Sequence, residues 1–155
     1  MPIPFGKTIY KLAKVFWYIF RPKSYGAKGA LLYKNKILLV RQAYTPHLWS
    51  LPGGRIKKGE TVDAGFRREV KEEVDIDVRN IEKIESRIFT HEYKKDHVTF
   101  FKALIDQDNF NIDNFEIIEA GWFPLSSLPE NIGPITREAI EKVKEKPLDK
   151  LGTSS

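Results

Sequence analysis

The sequence predicts an α/β or α+β sandwich in which helices cover a mixed β-sheet. Three observations carry this expectation. The chain has 155 residues and 41% hydrophobic content, enough for one domain with a sizeable core. Pairs of apolar runs flank short polar turns, the pattern of β-hairpins. Two further stretches place their apolar residues at helical spacing. No internal repeat and no second domain is visible. The boundaries read as an amphipathic helix and linker over 1–24, one domain over 25–147 and a flexible tail over 148–155.

Taken in order, residues 7–21 form the first element. Lys7, Lys11 and Lys14 recur at spacings of four and three and share one helix face, while Ile9, Leu12, Ala13, Phe16 and Phe20 form another. The apolar run from Val15 to Phe20 is far shorter than the roughly 20 residues a membrane span needs. No small-residue cleavage site follows it, so neither a transmembrane segment nor a signal peptide is expected. Packing on the domain or on a second copy in a homodimer is favoured. Peripheral contact with an anionic membrane is the less favoured alternative.

Next, "AKGALLYKNKILLVRQ" predicts a hairpin turning at Lys34-Asn35-Lys36. "TPHLWSLPGG" is turn-rich around a short extended piece. Thr61 is a natural N-cap and Asp63 sits where the helix dipole favours an anion, so a helix runs to about Val74. "IEKIESRIFTHEY" and "HVTFFKALI" flank Lys94-Lys95-Asp96, a second expected turn. "DQDNFNIDN" is a polar loop and "EIIEAGWFPL" is extended. Pro134 opens a last helix with Ile135, Ala139, Ile140 and Val143 on one side.

Charge and composition narrow the function. Cysteine is absent, which excludes disulfides, thiolate metal sites and cysteine nucleophiles and fits a reducing, cytoplasmic setting. Of the 26 Lys and Arg, twelve fall in residues 1–59, which hold no Asp or Glu. This basic front suits an anionic partner such as phosphates, with RNA and a membrane surface also compatible. Against that background Glu69, Glu72 and Glu73 crowd one helix. On a wheel with Glu69 at zero, Glu72 falls near about 300° and Glu73 near about 40°. Phe66, Val70 and Val74 lie directly beside them, and Arg67 and Lys71 lie on the far side. Like charges at this spacing repel, and a hard dication with oxygen ligands would offset the repulsion. A solvated acidic face is the alternative for such a cluster standing alone.

The cluster does not stand alone. Gly53 and Gly54 precede it, Glu60 follows Gly54 after five residues, and Arg68-Glu69-Val70 follows Glu60 after seven. With Lys71, Glu72, Glu73, Val74, Asp75 and Ile76, this resembles the Nudix box, G-x5-E-x7-R-E-U-x-E-E-x-G-U, where U is aliphatic. One defined position departs: Asp75 stands where the family has glycine. Asp reaches the left-handed conformation at some cost, so a less clean helix end is expected. "ILLVRQ", "LWSLPGG" and "EAGWFPLSSLP" extend the resemblance over roughly residues 27–130.

The resemblance implies an α/β/α sandwich and hydrolysis of a nucleoside diphosphate linked to another group, with Mg²⁺, or Mn²⁺ in its place. It implies that Glu69, Glu72 and Glu73 are metal ligands, with the Gly54 carbonyl and Glu119 as further ligands. Glu69 is the favoured water-activating carboxylate, and Arg68 and Glu60 are positioning residues. Arg41, Tyr44, Arg55 and Tyr93 are candidate substrate contacts. Lys57, Lys58 and Phe89 carry a weaker version of the same expectation, and His47, His91 and His97 show no ligand spacing. Nucleoside triphosphates, sugar nucleotides, dinucleoside polyphosphates and RNA 5′ ends all fit the box. A regulatory domain that binds a nucleotide without cutting it is the rival class. A nucleic-acid-binding module on the basic front is another, but it leaves the glutamates unexplained.

Overall fold

The computed structural model describes residues 23–91 and 94–146, together with positions 11, 12 and 15. Its elements are β1 (Lys23–Tyr33), β2 (Lys36–Gln42), β3 (Trp49–Ser50), β4 (Gly53–Arg55), α1 (Val62–Val74), β5 (Glu82–His91), β6 (Lys94–Leu104), β7 (Ile117–Pro124) and α2 (Pro134–Glu145). The strands form one seven-stranded mixed sheet of order β3-β2-β1-β6-β5, with β4 paired to β1 and β7 to β2. β1 runs parallel to β6, and the remaining pairs are antiparallel.

Period-two alternation builds a core on each face of this sheet. Ala27, Leu31, Leu38 and Val40 pack with Phe66, Val70 and Val74 of α1. Their neighbours Ala30, Leu32, Ile37 and Leu39 pack with Ala139, Ile140 and Val143 of α2. The doubled apolar residues of "ALLY" and "ILLV" are therefore buried on both sides, as a central strand between two helices requires.

The splay of β1 from β2 positions the site. They pair only at Leu32↔Ile37 and Tyr33↔Lys36, beside the turn expected at Lys34-Asn35. Beyond that, Val40 and Arg41 pair with β3, and Gly26, Ala27 and Lys28 pair with β4. The "WSLPGG" segment thus fills the gap and carries Gly53 and Gly54 into the middle of the sheet.

Two local expectations are corrected. Lys94, Lys95 and Asp96 are strand residues, paired with His91, Thr90 and Phe89, so they do not form the expected turn. β6 is hydrogen-bonded on both edges, and Lys23↔Lys95 and Ser24↔Asp96 on its other side hold these charged residues extended. In α2, Ile135 is 43% exposed and Thr136 is buried instead, a rotation of the buried stripe by one residue. Positions 11, 12 and 15 are helical and exposed. The rest of the N-terminal helix, its membrane or dimer contacts and the 148–155 tail lie outside the described residues. Among the described residues no helix is long and apolar enough to cross a membrane.

Candidate active site

Helix α1 is held at both ends by its own sequence. The Thr61 hydroxyl accepts from the Ala64 amide at 3.2 Å. Asp75 adopts the left-handed conformation, with φ 57° and ψ 37°, and its amide donates to Lys71 O at 3.0 Å. The helix therefore ends as cleanly as a glycine would end it. The Asp75 carboxylate pairs with Lys71 at 2.7 Å, a local contact that glycine lacks. Arg67, expected on the far side, folds back to donate to the carbonyls of Val78 and Arg79.

The buried stripe of α1 carries two carboxylates inward with it. Glu73 is 2% exposed and accepts from the Gly53 amide at 2.8 Å. Glu69 lies one turn earlier against Gly54, where a Cβ would come within 2.4 Å of its Oε2. Gly53 has φ +134°, a conformation open only to glycine. The glycine pair thus lets the helix carboxylates reach the β4 backbone.

A third carboxylate joins them. One oxygen each from Glu69, Glu73 and Glu116 lies within 4.8 Å of the others. Burial, reinforced by Glu69, pushes the Glu73 carboxyl up to about 7 against the opposing pull of the Gly53 amide and Lys28. Burial also raises Glu69, with Arg68 opposing and Glu72 and Glu116 adding to the rise. Lys28 of β1 is drawn by both glutamates, yet burial dominates and lowers it.

Arg68 fastens this group. Its Nε and Nη2 meet the two Glu60 oxygens at 3.1 and 2.6 Å, the forked pairing of guanidinium and carboxylate. Its Nη1 donates to Glu69 at 2.9 Å and Glu72 at 3.0 Å, and Nη2 also reaches Arg55 O at 2.9 Å. Hydrogen bonding from Arg68, aided by the Lys57 amide, holds the Glu60 carboxyl down at about 2. Arg68 is raised in turn, chiefly by Glu60.

The other expected residues fall in different places. Glu72 is largely exposed and stays outside the three-carboxylate group. Glu119 pairs with Arg41 at 3.0 Å, and the Arg41 guanidinium lies 5.5 Å from the Trp49 ring, so neither converges with Glu69 and Glu73. Glu116, which the sequence reading missed, takes the position expected of Glu119. The cause is a register shift: Arg41 faces Glu119, but Gln42 faces Ile117. Asp113 then accepts from the amides of Phe115, Glu116 and Ile117 at 3.0–3.2 Å and folds the loop back. The available signal was the repeated glutamate of "EIIE", which does not say which one turns inward.

Tyr44 is 74% exposed. With Arg55 it lines a cavity of about 540 Å³ beside Gly53 and Gly54. Burial of its hydroxyl and the nearby Glu73 and Glu116 raise its pKa. Tyr93 lies outside the described residues. Phe89 packs on the α2-side core. Lys57 contributes its amide to Glu60. His97 stacks on Tyr25 at 4.9 Å, and His47 offers its carbonyl to Asn131.

The donor set fits a hard dication: it is all oxygen, it converges, and it includes a buried carboxyl that keeps its proton near neutrality unless a positive charge compensates it. A mixed sheet between two helices, with a strand-loop-helix gathering carboxylates at a glycine pair, is the Nudix arrangement. The chain belongs to the NUDIX domain family, whose profile matches residues 25–143. That family is generally dependent on divalent metal. The NAD-capped RNA hydrolase NudC of Vibrio atlanticus is 33% identical over 110 residues, covering 69% of this chain and 40% of that protein. Nudix hydrolase 5 of Arabidopsis thaliana is 36% identical over 110 residues, covering 64% of this chain and 36% of that protein. The chain thus spans roughly two fifths of the length of these curated relatives. The crystal structure of a MutT NUDIX hydrolase from Burkholderia pseudomallei superposes with a TM-score of 0.71 at 24% identity, covering 79% of this chain and 98% of that one.

Proposed function

We propose that this protein hydrolyses the diphosphate linkage of a nucleoside diphosphate joined to another group, with Mg²⁺ as the working ion and Mn²⁺ as a substitute. The observation that carries the reading is the convergence of Glu69, Glu73 and Glu116 beside the Gly53-Gly54 backbone. These three residues, with the Gly54 carbonyl, would hold the cation, and Glu72 stands at their exposed edge. Bound there, a dication supplies charge neutralisation for the phosphates and acidifies water.

The chain's own residues do the rest. Arg68 fixes Glu69 through Oε1, and Oε2 is directed to the glycine pair. Glu69 orients a water and takes its proton as the water oxygen bonds to phosphorus. The bridging P–O bond breaks and its electron pair leaves with the departing phosphate. Glu60 acts through Arg68 as a positioning residue, and Arg55 and Tyr44 contact the substrate from the cavity wall. Arg41 and Glu119, paired with each other, shape the neighbouring rim. The NAD-capped RNA activity of a relative supports a diphosphate bearing a nucleoside on at least one side.

The test is a Mg²⁺-dependent screen of nucleotide diphosphate compounds with separation of the released products. Products cut at the phosphoanhydride, abolished by EDTA, are expected. A protein that binds nucleotide with no turnover in Mg²⁺ or Mn²⁺ would instead be a regulatory domain.

A further inference from the structure

The cavity beside the glycine pair has a composition that cutting a diphosphate does not require. It lies along the first half of β1, where every residue from Lys23 to Lys28 lines it. The register places Asp96 and Val98 of β6 and Arg55 and Gly53 of β4 beside them. Gly26 forms the floor: a Cβ there would meet only Gly54 O, at an ordinary 3.5 Å, so the space is open because the residue is small. The space, about 540 Å³, can take a group of nucleotide size.

Its charge is one-sided. Lys23, Lys28, Arg55 and Lys94 line it with Asp96, which accepts from the Ser24 hydroxyl. Lys28 faces Glu73 and Glu69, and Lys94 has an interaction of its own, which leaves Lys23 and Arg55 as the cations that matter for a ligand. Among the described residues Lys23 and Arg55 have no carboxylate at ion-pair distance. Lys28 points its ammonium to Leu51 O at 3.3 Å, at the inner end beside Glu73. The cations come almost wholly from the acid-free front of the chain. They are additional to any charge that the three carboxylates would gather on the scissile phosphates.

We propose that this cavity is a subsite for phosphate beyond the two that are separated. The preferred substrate is then a nucleotide with three or more phosphates in its chain, or with a further phosphodiester, rather than a diphosphate capped by a neutral sugar. The inference rests on the hydrolase reading for turnover, but not for binding. Lys23 and Arg55 hold the extra anion at the mouth, and Gly26 leaves the room.

The experiment compares kcat/KM, with Mg²⁺, for ADP-ribose, diadenosine tetraphosphate and a 5′-triphosphorylated oligoribonucleotide. Two variants, Gly26→Val and Lys23→Gln/Arg55→Gln, are measured beside the parent, with thermal melts to establish folding. At least a tenfold preference for one of the phosphate-rich compounds is expected, with KM rising steeply with salt. That preference should fall to within about twofold in both variants, and the better of the two compounds separates a small polyphosphate from an RNA end. Equal kcat/KM for all three compounds, or a preference that survives the charge-removing variant, overturns the proposal. Metal-free calorimetry with inorganic tripolyphosphate and pyrophosphate reads the subsite without turnover. Tighter tripolyphosphate binding, weakened at least fivefold by Lys23→Gln/Arg55→Gln, supports the subsite even if no compound is hydrolysed; equal binding of the two anions in the parent counts against it.

Discussion

Glu73 shows how burial turns an ordinary carboxyl into one that keeps its proton to higher pH. Its folded carboxyl is raised by burial to about 7, above the usual value of 4.5. A raised acid contributes stability that is fully present below about 4.5 and is lost as pH rises through about 7. In the metal-free protein at pH 8, Glu73→Gln should therefore stabilise, by up to about 3 kcal/mol. The amide oxygen still accepts from Gly53. The same variant should lose most metal-dependent hydrolysis. Melting curves in EDTA at pH 5 and pH 8 check the first part, since the gain must shrink to less than about 1 kcal/mol at the lower pH. Arg68 makes a complementary case, because its role depends on shape as well as charge. Arg68→Lys keeps the cation but cannot fork onto Glu60 while reaching Glu69, Glu72 and Arg55 O. A tenfold or larger fall in kcat with a smaller change in KM is expected, and Glu60 should titrate closer to its usual range. Carboxyl NMR of Glu60 distinguishes this from general loosening. At this scale the sequence was legible wherever spacing fixes a residue on a regular element, as for Glu69, Glu73 and the Glu60–Arg68 pair. It was silent where a loop decides: nothing in "EIIEAGW" distinguishes Glu116 from Glu119, because the selection is made by a register shift and the Asp113 turn.

Among the elements, α1 was the most readable and β6 the least. Capping signals and the buried stripe gave Val62–Val74 with both ends, because helix termini are set by local side chains. The start of β6 was misread because three consecutive charged residues look like a turn; pairing on both edges keeps them extended. The pairing of β4 with β1 was also hidden, since a three-residue strand containing two glycines has no alternation to show. The C-terminal end of α1 yields its own prediction. Asp75 occupies a left-handed position and sits outside the carboxylate group, so its departure from the family's glycine is a matter of conformation rather than chemistry. Asp75→Gly relieves the backbone but loses the exposed Lys71 pair, so stability should move by less than about 1 kcal/mol and turnover should not change. Asp75→Val should cost more than about 1 kcal/mol, because a β-branched residue resists this conformation. Denaturant melts and kcat for the two variants check both statements, and a large kcat loss in Asp75→Gly would give Asp75 a direct part in the chemistry.

For the whole molecule, the charge asymmetry and the fold act together. The acid-free front supplies β1, β2 and β4, and the back supplies α1 and Glu116, so a basic wall and a carboxylate group face the same cleft. The sequence showed this separation as a count along the chain; only the splay of β1 from β2, filled by "WSLPGG", turns it into two sides of one site. Converging carboxylates repel one another, and a cation held among them would relieve that repulsion and link folding to metal. Mg²⁺ that binds the folded chain alone should stabilise it by about 2.7 kcal/mol at a hundred times its dissociation constant. For a domain of this size that corresponds to a rise of roughly 5–10 °C in Tm. A carboxyl has to give up its proton to ligate, so with Glu73 as a ligand the rise should be full at pH 8 and shrink as pH falls through about 7. It should be much reduced in Glu73→Gln and retained in Asp75→Gly. Scanning calorimetry with Mg²⁺, Mn²⁺ and EDTA at the two pH values measures all of this without any substrate. A Tm that ignores both ions at pH 8 would mean that the three carboxylates hold no cation, and Glu73 would then be only a buried acid held by Gly53.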